Sequence, residues 1–240
     1  MFESPRVEVD FAAKSRTLCR VRPSTRRLTR TCVAVLVLLL CGGAGGDVSR
    51  DAVPPEAPRF KPPSRRVLLA SDFSHDSLGT WKPDRPGVWS LRHGALRAQL
   101  ADEKQLRSFI YSGSEDWTDY AVDLDVCMMR GVDKGLVVRQ TGDHGIAVDL
   151  RGPGYQDLLL QYRQWPLARA RIVNDNGAWH HLRIEAVGHR YRVFVDGARV
   201  LDQADRRRCC VSGGIALVAY TGGVGACTVY YDNVIVTALD

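Results

Sequence analysis

Side chains able to do acid–base or binding chemistry gather in a few short stretches of this 240-residue chain. AWHHLRIEAVGHRYRVFVDGARVLD (178–202) holds His180, His181 and His189, three of the six histidines, beside Arg183 and Glu185. DYAVDLDVCMM (119–129) sets Asp123 and Asp125 two apart, a spacing that puts both carboxylates on one face of a strand. Neighbours on one strand stand side by side and cannot flank both sides of a bond to be broken, so acid–base work there needs a group from elsewhere. GLVVRQ (135–140), GIAVDLR (145–151) and DLLLQYR (157–163) add Arg139, Asp149, Arg151, Gln161 and Arg163, all charged or hydrogen-bonding groups. Tyr155 and Trp165, read as loop residues beside those strands, offer aromatic faces for stacking. The sequence has no HExxH, no CxxC pair, no EF-hand loop and no GxSxG. Adjacent His180 and His181 point to opposite faces of a strand and cannot grip one ion together.

The elements that must position these groups are strands. From Val67 onward apolar residues recur with period two, and no stretch of helical length carries helical spacing. Val67–Phe73 reads as a first strand, and Val88–Leu100 as a hairpin turning at His93-Gly94. In 119–129, Tyr120, Val122, Leu124, Val126 and Met128 share a core face, with Asp123 and Asp125 opposite. If Gly188-His189 is a two-residue turn, Glu185 meets Arg192, Ile184 meets Val193 and Leu182 meets Val195. Asp196-Gly197 then turns again and brings Val200 opposite Val193. GGIALVAYTGGVGACTVYYDNVIVTAL (213–239) reads as a last hairpin whose glycines are turn residues, since no helix follows to cradle a phosphate. By alternation Arg139, Asp149, Arg151, Gln161, Arg163, His181 and Arg183 leave the core faces. Each is also what a solvated sheet face would carry.

The length allows one sandwich-sized domain behind a leader. Residues 1–46 carry eight of the 33 Lys/Arg and three of the 27 Asp/Glu, leaving 25 basic and 24 acidic residues beyond them. A body so nearly neutral, with no basic stripe, argues against nucleic-acid binding. Arg26, Arg27 and Arg30 precede TCVAVLVLLLC and then GGAGGD, the layout of a bacterial export signal and too short an apolar run for a stable span of roughly 20 residues. LLLCGG resembles a lipoprotein lipobox with Cys41 as the acylated residue, although Leu40 stands where a small side chain is usual. The expected organisation is a leader over 1–46, a Pro-rich linker over 47–66 and the β domain over 67–240, secreted, periplasmic or lipid-anchored outside the cytoplasm. Membrane contact is expected only through Cys41. Export leaves Cys127, Cys209, Cys210 and Cys227, and an oxidising compartment favours at least one disulfide among them.

The order DF…W…W…GAL, a W-x-D-Y strand, GLVVR, the meander WHHLRI…VFVDG and GGIAL…YYDNVIV resembles the concanavalin A-like lectin/glucanase superfamily over about Leu69 to Leu239. Within it the pattern is most similar to the bacterial 3-keto-disaccharide hydrolase-like domain, grouped with laminin-G-like jelly rolls. The resemblance implies an all-β, two-sheet antiparallel jelly-roll sandwich that binds a carbohydrate or glycoconjugate on a concave face. Two alternatives accompany it, glycoside hydrolysis of the 3-keto-disaccharide type and a protein-interaction module at the cell surface. For hydrolysis the polar set is Arg139, Asp149 and His181, with Asp123, Asp125, Arg151, Tyr155, Gln161, Arg163, Trp165 and Arg183 as substrate contacts. The E-x-D-x-x-E strand of family 16 glycoside hydrolases is not reproduced, because Met128 stands where its last acid belongs. The family's outward Glu and Gln correspond here to Ala147 and Asp149. Many such sandwiches hold a structural Ca2+ where first and last strands meet, which makes Asp72 and Asp232 candidate oxygen ligands. No other cofactor is implied.

Overall fold

The computed structural model describes residues 53–59, 64–75, 77–163, 165–223 and 225–239, so the leader and Cys41 lie outside the described residues. Gly46–Asp240 forms one compact unit. The first sheet contains β1 (Val67–Ser71), β3 (Trp89–Arg92), β4 (Ala95–Leu100), β6 (Tyr120–Arg130), β11 (Trp179–Val187), β12 (Arg190–Val195), β13 (Ala198–Ala204) and β15 (Cys227–Ala238). Its order is β13-β12-β11-β6-β15-β4-β3, with β1 paired to the C-terminal half of β15. The second sheet contains β2 (Lys82–Pro83), β5 (Arg107–Ser112), β7 (Asp133–Thr141), β8 (His144–Arg151), β9 (Asp157–Tyr162), β10 (Trp165–Arg171) and β14 (Gly214–Tyr220). Its order is β10-β9-β8-β7-β14-β5-β2. Every pairing is antiparallel, and the described residues contain no helix. This is an all-β two-sheet jelly-roll sandwich.

Alternation builds the core. Tyr120, Val122, Leu124, Val126 and Met128 of β6 pack with Leu182, Ile184 and Ala186 of β11 against Leu136, Val138, Ile146, Val148, Leu158 and Leu160 of the other sheet. The indoles of Trp81 and Trp89 are buried in that core, and each donates to a serine hydroxyl, Ser71 at 3.0 Å and Ser108 at 2.9 Å. Trp179 differs: it lies on the outer face of the first sheet, packed on Cys127 and Tyr230.

Local pairings follow the turns. Glu185 faces Arg192, Ile184 faces Val193 and Leu182 faces Val195. The His93-Gly94 turn, with φ of +55° and +72°, sets Arg92 opposite Ala95. Three expectations are corrected. Leu201, not Val200, faces Val193, because a bulge on β13 shifts the register by one after the Asp196-Gly197 turn. Residues 213–239 do not form a hairpin, since β14 lies between β5 and β7 while β15 lies between β4 and β6 in the other sheet. Cys127, Cys209, Cys210 and Cys227 are all free. The adjacent Cys209 and Cys210 stand Sγ to Sγ 3.7 Å apart, and closing that pair would force a strained eight-membered ring.

Candidate functional site

The second sheet turns an apolar patch outward. Val137, Ala216 and Val218 form its centre, with Phe109, Tyr111 and Ala147 packed around them. Beside this patch lies a cavity of about 200 Å³ whose polar lining includes Asp149, Gln161, Arg107 and Arg163. β8 and β9 supply the central pair: Ala147 faces Gln161 in register, and the Gln161 amide donates to Asp149 Oδ2. Burial beside the apolar patch pushes the Asp149 carboxyl up to about 7, the negative charge of Asp133 adds to this, and Arg107 and Arg151 oppose it.

Asp133 is a carboxylate that the sequence reading passes over. It starts β7, where Gly135 faces Asp149 and Asp133 faces Arg151, so the two acids are diagonal neighbours about 7–8 Å apart in backbone terms. Burial also holds the Asp133 carboxyl above its ordinary value, and its Oδ1 is buried with no hydrogen-bond partner among the described residues. Gly135 makes the close approach workable, because a Cβ there would sit 1.9 Å from the Val148 carbonyl oxygen. Extending the GLVVRQ alternation two residues upstream would have placed Asp133 on the Asp149 face. Arg107 opens β5, RSFIYS, whose large apolar residues Phe109, Ile110 and Tyr111 are consecutive and give no period-two signal.

Around this pair the other expected residues take varied places. Arg151 is bidentate to Asp157, at 2.8 Å for both bonds, and lies over the Tyr155 ring at 4.3 Å. Arg169 also bonds Asp157. Arg163 pairs with Asp143 at 3.2 Å, next to His144, whose Nδ1 is 2.7 Å from the Tyr162 hydroxyl. Tyr155 lies in the β8–β9 loop, whereas Trp165 begins the edge strand β10, 63% exposed and outside the cavity lining.

Asp123, Asp125, His181 and Arg183 lie on the opposite outer face, that of the first sheet. His181 faces Asp125 and Arg183 faces Asp123 across β11 and β6. The imidazole is held at both nitrogens, Nδ1 2.8 Å from Asp125 Oδ1 and Nε2 3.3 Å from Asp123 Oδ1. Those hydrogen bonds, Asp123 first and then Asp125, push His181 up to about 9. An imidazolium donating from both nitrogens has no lone pair with which to take a proton near neutrality. Arg183 completes the network through Asp123 and, at 3.0 Å, Glu185.

Arg139 does not project outward as alternation required. Its φ of +52° at a register slip in β7 turns the side chain inward, where it is fully buried. Nε donates to the Thr118 carbonyl at 3.1 Å, Nη1 to the Cys210 carbonyl at 3.0 Å, and Nη2 to Asp119 at 3.1 Å. Nη1 also donates to the Gly188 carbonyl, so Arg139 ties three loops together and cannot share a site with Asp149 and His181, which stand on opposite faces.

Asp72 and Asp232 approach each other near the β1–β15 junction. Burial first, then the charges of Asp125 and Asp72, raise Asp232 to about 6. Asp72 Oδ1 already accepts from the Ser74 hydroxyl at 2.9 Å. The described residues contain no group of three or more His, Cys, Asp or Glu able to hold a metal, and two carboxylates fall well short of the six to eight oxygens Ca2+ takes. This donor set does not fit a structural Ca2+.

The family model described as the 3-keto-alpha-glucoside-1,2-lyase-like domain matches residues 70–237. The chain belongs to this family. Solved structures of similar fold to this 3-keto-alpha-glucoside-1,2-lyase-like domain include the carbohydrate-binding module CBM66 from Bacillus subtilis, 18% identical with a TM-score of 0.57 over 66% of this chain and 96% of that one. A putative glycosyl hydrolase from Parabacteroides distasonis is 18% identical with a TM-score of 0.54, covering 71% of this chain and 100% of that one. The exoplasmic/lumenal domain of VIP36, in its Ca2+/Man3GlcNAc-bound form, is 13% identical with a TM-score of 0.57, covering 73% and 91%. No curated protein matches the chain.

Proposed function

We propose that this domain recognises carbohydrate in the cavity on the outer face of the second sheet. The observation that carries the reading is Asp149, a carboxyl raised to about 7 and bonded to Gln161 at the rim of an apolar patch. The apolar patch suits the C–H face of a pyranose. The acid and the amide suit its hydroxyls, and Arg107 and Arg163 supply further donors. Membership of the family supports this, as do the printed names of the neighbours, one a carbohydrate-binding module and one bound to Man3GlcNAc. Calorimetric titration with 3-keto-disaccharides and their parent disaccharides tests it: saturable binding that is weakened in Asp149→Ala is expected, and no binding by the wild type to any of them would sink the reading.

One observation favours a second reading, cleavage at the edge of that cavity, which Asp149 lines and Asp133 adjoins on the neighbouring strand. Asp133 and Asp149 are neighbouring carboxyls, both held above the ordinary range. A 3-keto group acidifies the C2 hydrogen. One carboxylate then removes that proton while the other, protonated, donates to the glycosidic oxygen as the C1–O bond breaks, leaving a C1=C2 double bond. Turnover of a 3-keto-glucoside by the wild type but not by Asp133→Asn or Asp149→Asn separates cleavage from binding alone.

The leader and the candidate acylation of Cys41 place this recognition outside the cytoplasm in the proposal. Mass spectrometry of the mature N-terminus decides between cleavage after the small-residue stretch and lipid attachment at Cys41.

A further inference from the structure

Residues 53–59 belong to the Pro-rich stretch expected to be a bare linker, yet they lie on the outer face of the first sheet. The Trp179 indole N–H donates to the Pro55 carbonyl at 2.5 Å, and the Asn233 amide donates to the Pro58 carbonyl at 2.7 Å. Exposure along the segment repeats every three residues. Pro54 and Ala57 are half-buried, while Pro55, Glu56, Pro58 and Arg59 are exposed. A period of three, in both the buried side chains and the bonded carbonyls, is that of a polyproline II helix, whose carbonyls are left free for outside donors.

The sheet is built to match. Trp179 is on β11 and Asn233 on β15, two strands away across β6 and three residues further along, since Trp179 and Tyr230 both face Cys127. Three residues of polyproline II rise about 9 Å. The segment crosses the strands obliquely, its Pro55 carbonyl meeting β11 and its Pro58 carbonyl meeting β15. Beneath it lies a small apolar patch of Ala95, Cys127 and Tyr230 with Met129 and Trp179 packed on it.

Asn233 is aimed by a bulge. Its φ is +51° where β15 changes register between Asp232 and Ile235, a conformation that Asn tolerates better than most residues. The same amide nitrogen also donates to Asp125 Oδ2 at 2.8 Å, so it is fixed from below by the carboxylate that holds His181.

We infer that the outer face of the first sheet is a binding site for a proline-rich extended peptide, and that its resident ligand is the chain's own Pro54-Pro55-Glu56-Ala57-Pro58. Docking fixes where the chain leaves the domain, on the face opposite the Asp149 cavity, so a tether attached there leaves that cavity unobstructed.

The test uses the full chain, with the Trp179 indole resonance assigned by Trp179→Phe. In the wild type the indole N–H exchanges with solvent about tenfold more slowly than in P54G/P55G/P58G, which keeps the carbonyls but loses the stiff helix. Adding the synthetic peptide VPPEAPR to the glycine variant returns the indole resonance saturably toward its wild-type position. Trypsin cuts after Arg59 severalfold faster in Trp179→Phe than in the wild type, because that variant keeps an aromatic ring but has no N–H to hold Pro55. Equal indole exchange in the wild type and the glycine variant, or equal cleavage after Arg59 in the wild type and Trp179→Phe, would overturn the inference.

Discussion

Asp149 stands diagonal to Asp133 on the neighbouring strand of the second sheet, with Gly135 leaving the space between them open to backbone alone. Because the negative charge of Asp133 raises the proton affinity of Asp149, replacing Asp133 by Asn lowers the midpoint at which Asp149 titrates. In the wild type that midpoint is about 7. Carbon-detected titration of the Asp149 carboxyl reads it directly. A wild-type midpoint in the ordinary carboxylate range, or one indifferent to Asp133→Asn, contradicts the coupling.

Sugar binding should follow the same proton. Below about 7 the Asp149 carboxyl donates a hydrogen bond and above it only accepts. Asp149→Asn, neutral at every pH, is expected to flatten the pH dependence, whereas Asp149→Ala costs about 1–3 kcal/mol, or roughly fivefold to 150-fold in affinity. The affinity measured from pH 5 to 9 for the three proteins checks this.

His181 carries a stability signature of opposite origin. Its folded value, about 9, lies above the unfolded 6.5, so its contribution is complete below 6.5 and is lost as pH rises through 9. Wild type minus His181→Gln in urea unfolding should therefore shrink across that window, by an amount on the order of 2 kcal/mol. The subtraction removes Lys134, which burial lowers to about 8 and which works in the other direction. A difference that stays constant from pH 6 to 10 means the imidazole is not held charged by Asp123 and Asp125.

Arg139→Met should be among the most damaging single changes. It strands the Thr118 and Cys210 carbonyls and leaves Asp119 without its buried cation, a loss of about 3–5 kcal/mol. Arg139→Lys keeps the charge without the fork and should recover only part of it. Denaturation midpoints rank the three proteins.

Gly135→Ala is expected to destabilise by about 2–4 kcal/mol, since the added methyl meets the Val148 carbonyl and β7 must move from β8. The same shift separates Asp133 from Asp149, so the variant should also lower the raised Asp149 titration.

Much of the fold was legible because it is local. The Glu185–Arg192 pairing, the His93-Gly94 turn and the core face of β6 depend only on period two and on which residues accept positive φ. The misreadings share a cause as well. Val200 gave way to Leu201, and Arg139 turned inward, because a one-residue bulge reverses every later side chain and leaves no mark in alternation. Asp133 leaves no signal of another kind, since it opens β7 two residues before the apolar run of GLVVRQ begins.

By itself, the sequence determined an all-β sandwich, the residues of its core faces, the turns and the family pattern, all of which arise from side-chain period and local backbone preference. Only the tertiary structure decided which strands share a sheet. Asp149 and His181 are equally outward-facing in sequence, yet β8 pairs with β7 and β9, while β11 pairs with β6 and β12. Partner choice between distant strands rests on packing the whole core at once, and it is that choice which puts Asp149 with Asp133 and leaves His181 on the far face beside the docked proline segment.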